Sequence, residues 1–410
     1  MNVRLWAVSA TELRGQLIVL VIVTWTLAAL NTFVPGPRYR TGELKGADFI
    51  HFYVLGNLAL EGRGDLLYDA GAQIATQERL VPDSKGIWFV PINGPQFALV
   101  FAGLAWLPYL WAAFAWACVI ALVYGACVWL VLRRCPSLQT RTLLVALAAA
   151  GFPPFCSLVL HGQTSVMPLA CLTGAYLAFR SDRKWLAGIA IGSLVIKPHF
   201  ALAAGVVMLF RREWRVVGGA IAAAAAQWSA PALLFGAGAL SGYFSMIRRV
   251  PRFAELLEPK PYQFHSVRAF WSLLIPQPSV VFALYVLTVA GVLALSVRLW
   301  RPSVPLAVRF SGLSLATVLV PPHTGVYDLV LLVPAFMLTI DWSERAVDPA
   351  VRRVIRAVLY FSYVVPFAGP FAGLTHVQAS VPMFLAWLAT LHWATRQGAD
   401  HVTPARLHPQ

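Results

Sequence analysis

The sequence predicts an all-α, polytopic membrane protein. Three observations predict it. Of the 410 residues, 59% are hydrophobic and only 12% charged, against roughly 25% charged in an ordinary soluble domain. Apolar runs near the roughly 20-residue length that crosses a bilayer recur from end to end. Lys and Arg gather in the short gaps between those runs, as the positive-inside rule requires of cytoplasmic loops. No long polar stretch interrupts the series, so residues 1–410 read as a single integral membrane domain. The net charge of +15, from 32 Lys and Arg against 17 Asp and Glu, then belongs to membrane topology, and no nucleic-acid partner is implied.

Hydropathy places spans at about 17–35, 110–132, 142–160, 164–180, 185–197, 200–210, 214–235, 279–299, 304–320, 325–341, 352–370 and 377–396. That makes about twelve, with both termini and the tail 397–410 cytoplasmic. The first run lacks a convincing small-residue cleavage site and is followed by many more, so it reads as a retained signal anchor. Residues 94–107 are apolar but short and bounded by Pro95 and Pro108, which suits an interfacial helix. With that parity the clusters Arg133/Arg134/Arg141, Arg180/Arg183/Lys184, Arg211/Arg212/Arg215, Arg298/Arg301/Arg309 and Arg345/Arg352/Arg353/Arg356 are all cytoplasmic, joined by Arg4, Arg14, Arg396 and Arg406. Counting 94–107 as a span reverses this. The pair 185–197 and 200–210 is short for two passes, yet reading it as one helix also reverses the downstream charges. Cys118, Cys127, Cys135, Cys156 and Cys171 lie in or beside apolar segments, like small core residues, and offer neither a disulfide framework nor a metal cluster.

Two outer loops are long, 36–109 and 236–278, and the residues able to carry chemistry fall on that face. Asp48, in Gly46-Ala47-Asp48-Phe49-Ile50-His51-Phe52-Tyr53, sits among interfacial aromatics just past the first span. A carboxylate there can take a proton from an attacking hydroxyl, or it can cap the helix-like run that follows to Leu60. No DxD or carboxylate-His spacing accompanies it, so no metal or other cofactor is expected. Lys197 interrupts an apolar stretch beside a helix-breaking Pro198, with His199 next to it. Such a cation either faces a cavity, where it suits a lipid-linked phosphate, or snorkels to the interface. His161-Gly162-Gln163 ends the third span and offers donors to a sugar or phosphate, or is a polar turn. His323 lies in the turn Pro321-Pro322-His323-Thr324-Gly325, with Tyr327 and Asp328 opening the next apolar helix, where a carboxylate needs a partner. The second outer loop carries Arg248, Arg249, Arg252, Lys260, His265 and Arg268 against Glu255 and Glu258. Lipid headgroups account for most of that charge, and Arg268, leading into Phe270-Trp271, is the specific contact.

Taken in order, Gly46-Ala47-Asp48-Phe49, Phe52-Tyr53, Gly62, Leu67-Tyr68-Asp69, Pro95-Gln96-Phe97-Ala98, Gly162-Gln163, Lys197-Pro198 and Pro322-His323 with Tyr327-Asp328 resemble glycosyltransferase family 87 over roughly residues 45–340. Each motif is weak singly, and their order is what makes them specific. The resemblance implies a GT-C-like helical bundle with a helical first outer loop. It also implies transfer of a hexose, mannose in the best-known members, from a polyprenyl-phosphate donor to a lipid or glycan acceptor on the outer face, without a metal and with inversion. It gives Asp48 the role of base and makes Lys197 and His323 candidates for the donor phosphate, while Arg268, Gln163, His199, Tyr53 and Asp328 join them as candidate substrate contacts on the reading of the residues. The chain departs from the family at Asn93-Gly94-Pro95, where a Tyr-Pro-Pro-like motif is common, and at Gly103-Leu104, where Pro-Leu is common. Both departures bear on acceptor choice.

Two other readings stay open at the level of sequence. A lipid-linked glycan flippase or transporter also needs cations beside a cavity, but it more naturally shows a repeat between halves, and none is visible. An O-antigen-ligase-like enzyme works on the same face with a diphosphate-linked glycan, whereas the early Asp of the first loop favours a monophosphate donor. The Arg-rich, Lys-poor composition fits a bacterial plasma membrane, with the site on the periplasmic side.

Overall fold

A computed structural model describes residues 9–253 and 260–400. Arg4, Glu255, Glu258, Arg406 and most of the tail lie outside the described residues. Helix α1 (Ala10–Thr32) begins at a reciprocal capping box between Ser9 and Glu12. Its wall of leucines and valines is largely exposed, as a lipid-facing span must be. Between α1 and α5 (Tyr109–Leu132) stand three helices, α2 (Phe49–Leu60), α3 (Ala70–Leu80) and α4 (Gln96–Ala102). Pro108 ends the run before α5, so the stretch 94–107 holds a short helix and a turn separate from α5.

A single turn, α6 (Pro136–Gln139), leads into α7 (Thr142–Ala150) and α8 (Pro153–His161). These two form one path bent by 50° where Pro153 and Pro154 remove backbone donors. The bend is held to α1, since the Trp25 indole donates to the Ala150 carbonyl at 2.9 Å. Then come α9 (Val166–Arg180), α10 (Lys184–Gly192), α11 (Pro198–Phe210), α12 (Trp214–Phe235) and α13 (Ala237–Arg249). Further along the chain come α14 (Val267–Leu274), α15 (Pro278–Leu299), α16 (Leu306–Leu319), α17 (Val333–Ala346), α18 (Pro349–Val364), α19 (Ala372–Thr375) and α20 (Ser380–Asp400). No strand occurs among the described residues.

Among the described residues five helical stretches are long and apolar enough to cross a bilayer, one of them Val326–Ala346, which takes in α17, and the bent α7–α8 pair makes a sixth path. The remaining predicted passes are shorter. The pair 185–197 and 200–210 is resolved as two helices that reverse at Lys197-Pro198. Helix α10 runs parallel to α12, because a Cβ on Gly188 would meet the Val216 carbonyl oxygen and one on Gly192 that of Ala220. Glycines thus bring the two backbones into direct contact, the usual device for packing helices in lipid. Since α11 joins α12 through the tight turn 211–213, α11 must run back against α10, and the Lys184–Glu213 ion pair at 2.9 Å closes the far end of this hairpin. The arginine clusters collect at that end. The candidate site lies at the other.

Candidate active site

Four segments that are remote in sequence meet at one polar cluster. The first is the start of α2. Gly162, at φ +65, ends α8 in the left-handed region, which an L side chain avoids at a cost of roughly 1–2 kcal/mol. Here a Cβ would also lie 2.6 Å from that of Phe49. The glycine lets the α8–α9 turn close against α2, so that the Asp48 amide donates to the His161 carbonyl at 3.2 Å. The Trp116 indole of α5 fixes the same turn by donating to the Gly162 carbonyl at 2.9 Å.

Asp48 is half-buried, and its side chain makes no capping bond to α2. The capping alternative therefore drops away. Its Oδ2 instead accepts from Gln163 Nε2 at 3.0 Å. The amide is oriented from its other end, because Gln163 Oε1 accepts from the Thr164 backbone N–H at 3.1 Å and from Lys197 Nζ at 3.4 Å.

Lys197 stands at the break between α10 and α11, with 10% of its side chain exposed. Its ammonium donates to Ser165 Oγ at 2.9 Å and pairs with Asp328 Oδ1 at 3.3 Å. The rings of Tyr327 and Phe200 lie 5.6 and 5.8 Å from it, near enough for cation–π attraction. Asp328 is 2% exposed and is further held by Ser165 Oγ at 2.5 Å and by the Gly325 N–H at 2.8 Å. The carboxylate that opens this apolar helix thus has the partner the sequence demands. Buried charge is tolerated here because every member of the group is hydrogen-bonded.

Residues 265–268 are stitched to the same turn. The His265 N–H donates to the Thr324 carbonyl at 2.8 Å, while Ser266 Oγ and Arg268 Nε both donate to the Pro322 carbonyl, at 2.7 and 3.2 Å. Arg268 therefore stands one residue from His323, whose ring lies 4.4 Å from that of Phe264. His265 is buried with Nδ1 2.7 Å from Ser380 Oγ, and burial pushes its pKa down to about 4. It is a neutral strut of the loop. His199 is half-buried with its ring 4.2 Å from that of Phe200, within electrostatic reach of Asp328, Lys197 and His323.

The structure thus brings together Asp48, Gln163, Lys197 and Asp328, with His199, His323 and Arg268 around them. It does not bring in Tyr53, whose hydroxyl donates to the Leu107 carbonyl at 2.7 Å and ties α2 to the turn before α5. His161 is exposed, with Nδ1 2.9 Å from the Ser157 carbonyl oxygen. Sequence reading missed Ser165, the hydroxyl that joins the ammonium to the carboxylate. The run Gln163-Thr164-Ser165, three polar residues at the head of an apolar helix, was the available signal. Chemically, the arrangement offers a carboxylate able to accept a proton, with a cation behind it and further donors across the turn.

Glycosyltransferase family 87 matches the chain over residues 92–322, a segment that holds Gln163, Lys197, His199 and Arg268, begins after Asp48 and ends one residue before His323. No curated protein and no solved structure matches the chain. With more than half its length covered, and with its apolar helices, the chain belongs to glycosyltransferase family 87 and is a membrane glycosyltransferase.

Proposed function

We propose that the protein transfers a hexose, mannose by preference, from a polyprenyl-phosphate donor to a lipid or glycan acceptor at the outer face of a bacterial plasma membrane. One observation carries the reading: the Asp48–Gln163–Lys197–Asp328 network, which gathers four separate motifs at one level of the bundle.

In this scheme Asp48 accepts the proton of the acceptor hydroxyl as its oxygen bonds to the anomeric carbon. The carbon–oxygen bond to the donor phosphate breaks on the opposite side, so the configuration inverts and the phosphate leaves with the electron pair. The negative charge that grows on the leaving oxygen calls for cations already in place, because preorganised charge is worth most where water is excluded. Lys197 and Arg268 supply them, with His323 and His199 beside them as further hydrogen-bonding groups. Gln163 holds the carboxylate at the correct angle. The donor is already activated and its tail is a prenyl chain, so chemistry at the membrane surface lets the head react while the tail stays in lipid.

The test is transfer of label by the purified, detergent-solubilised chain from radiolabelled polyprenyl-phosphate-mannose into total membrane lipids. Loss of the base in Asp48→Asn is expected to lower the rate about 10²–10⁴-fold. Equal transfer by wild type and Asp48→Asn overturns the assignment of the base, and label entering from another polyprenyl-phosphate sugar in place of mannose overturns the sugar alone.

A further inference from the structure

The opposite, arginine-rich end of the α10–α12 pair holds a second charged feature that glycosyl transfer does not use. Two open clefts adjoin there, of about 400 and 300 Å³, sharing Lys184 and Arg215 in their walls. Arg183 lines the first and Arg212 the second. The carboxylates present are Asp182 and Glu213. Glu213 is already paired with Lys184 at 2.9 Å, and among the described residues no carboxylate forms an ion pair with Arg183, Arg212 or Arg215. The clefts are therefore net cationic. They open beside two large exposed aromatics, Trp185 at 55% and Trp214 at 62%. Below these, Leu186 and Ile189 on α10 and Ile221 on α12 are also exposed, which continues an apolar surface along the helices.

The local backbone makes this a formed feature. Both turns, 180–183 and 211–213, close with the same kind of bond: the Arg183 N–H donates to the Ala178 carbonyl at 2.8 Å, and the Glu213 N–H to the Met208 carbonyl at 3.0 Å. Each turn places a non-glycine residue in the left-handed region, Asp182 at φ 52 and Arg212 at φ 54. The ring of Trp185 lies over Gly218, where a Cβ would approach to 2.8 Å, and the Trp185 carbonyl oxygen would meet a Cβ on Gly219.

We propose that these clefts bind the headgroup of an anionic glycerophospholipid, its phosphate among Arg183, Arg212 and Arg215 and its acyl chains along Trp185, Leu186 and Trp214. Charge complementarity with an apolar continuation selects a lipid over a soluble anion, and exposed tryptophans at the ends of apolar helices belong at headgroup depth. Basic pockets between helices on the cytoplasmic side are the recurrent way of holding such headgroups. The span of α10 and its continuation to Ile196 separates these clefts from Lys197 by about 20 Å. The lipid is thus a structural ligand distinct from the donor. Each basic residue near an anionic headgroup is worth roughly fivefold in affinity, so three give a preference of about a hundredfold over a zwitterionic lipid.

Thermal unfolding of the full chain in neutral detergent tests this, with phosphatidylglycerol, phosphatidylcholine or inorganic phosphate added separately. Phosphatidylglycerol is expected to raise the apparent Tm, and the other two are not. The triple variant Arg183→Gln, Arg212→Gly, Arg215→Gln is expected to lose that rise. Arg212→Gly alone keeps the test clear of misfolding, because glycine relaxes the left-handed backbone. It should raise the Tm without lipid while shrinking the shift that phosphatidylglycerol produces. Equal shifts from both lipids, a phosphatidylglycerol shift that survives in the triple variant, or a full shift from inorganic phosphate alone would each overturn the proposal.

Discussion

Replacing Lys197 separates a catalytic cation from a structural one. At the 3.3 Å of the Lys197–Asp328 pair, Coulomb attraction in an effective dielectric of 20 is about 5 kcal/mol, and desolvation of two buried ions offsets most of it. Removing only the lysine leaves Asp328, 2% exposed, without its counter-ion, and loss of one partner of a buried pair costs about 3–5 kcal/mol. Lys197→Met is therefore expected to lower both thermal stability and transfer, which alone proves little. The double variant Lys197→Met, Asp328→Asn resolves the two effects. Its asparagine can still accept from the Gly325 N–H and reach Ser165, so a neutral, satisfied group replaces the ion pair. Stability should then return to within about 1 kcal/mol of wild type, since such exchanges are often neutral. Transfer should stay depressed about 10²–10³-fold, the usual cost of one preorganised charge at a developing anion. Unfolding in detergent and label transfer on the same preparation measure both. If the double variant recovers stability and activity together, Lys197 is a structural ion and the leaving phosphate is held elsewhere.

Further outcomes follow from the same geometry. Gln163→Leu removes the 3.0 Å bond to Asp48 and should lower kcat by about one order of magnitude with little change in KM, because a misoriented base hurts the transition state first; a pure KM effect would make Gln163 a substrate contact. Gly162→Ala forces an L side chain to φ +65 and against Phe49, so it should destabilise by at least about 1–2 kcal/mol and lower transfer by shifting Asp48; an unchanged Tm would show that the turn does not set the site. His51 and His265 are both held down to about 4 by burial, below the ordinary 6.5. The unfolded chain therefore binds these protons first, and stability is complete above pH 6.5 and drains away between pH 6.5 and 4, by up to about 3 kcal/mol for each histidine. Unfolding measured across that range in wild type and His51→Phe should show a shallower loss in the variant; identical slopes would exclude His51.

The membrane class and the all-helical character were legible because each rests on a local signal, run length or charge spacing. The passes were harder to read. Hydropathy sees apolar residues equally in a lipid-facing span and in a short helix buried among others, which is why α16, most of whose residues are buried, resembles α15, which has only four buried residues. Candidate site residues were legible as charges in apolar surroundings, since Asp48, Lys197 and Asp328 each violate the local pattern. Their pairing was not, because a contact between residues 197 and 328 leaves no trace in either neighbourhood. The hydrogen bond of Tyr53 was equally hidden: about one and a half turns along α2 from Asp48, its hydroxyl donates to the Leu107 carbonyl. Ser165 escaped notice because a hydroxyl at a helix start is ordinary until the ammonium it receives is known.

The polar residues share one level because the helices that carry them are broken there. Helix α8 ends at the left-handed Gly162, α10 yields to α11 at Lys197-Pro198, and the path from α16 passes Pro321 and Pro322 before Asp328. A continuous helix in lipid satisfies its own backbone and can bring only side chains inward, whereas a break releases N–H and C=O groups that must find partners within the protein. Here those groups and the polar side chains satisfy each other: the Gly325 N–H binds Asp328, the Thr164 N–H binds Gln163, and the Pro322 carbonyl takes Arg268 and Ser266. The breaks and the charges are therefore one feature. Mending a single break, as Pro198→Ala would do by restoring a donor and freeing the φ angle, should displace Lys197 from Asp328 and weaken transfer without touching any side chain of the site.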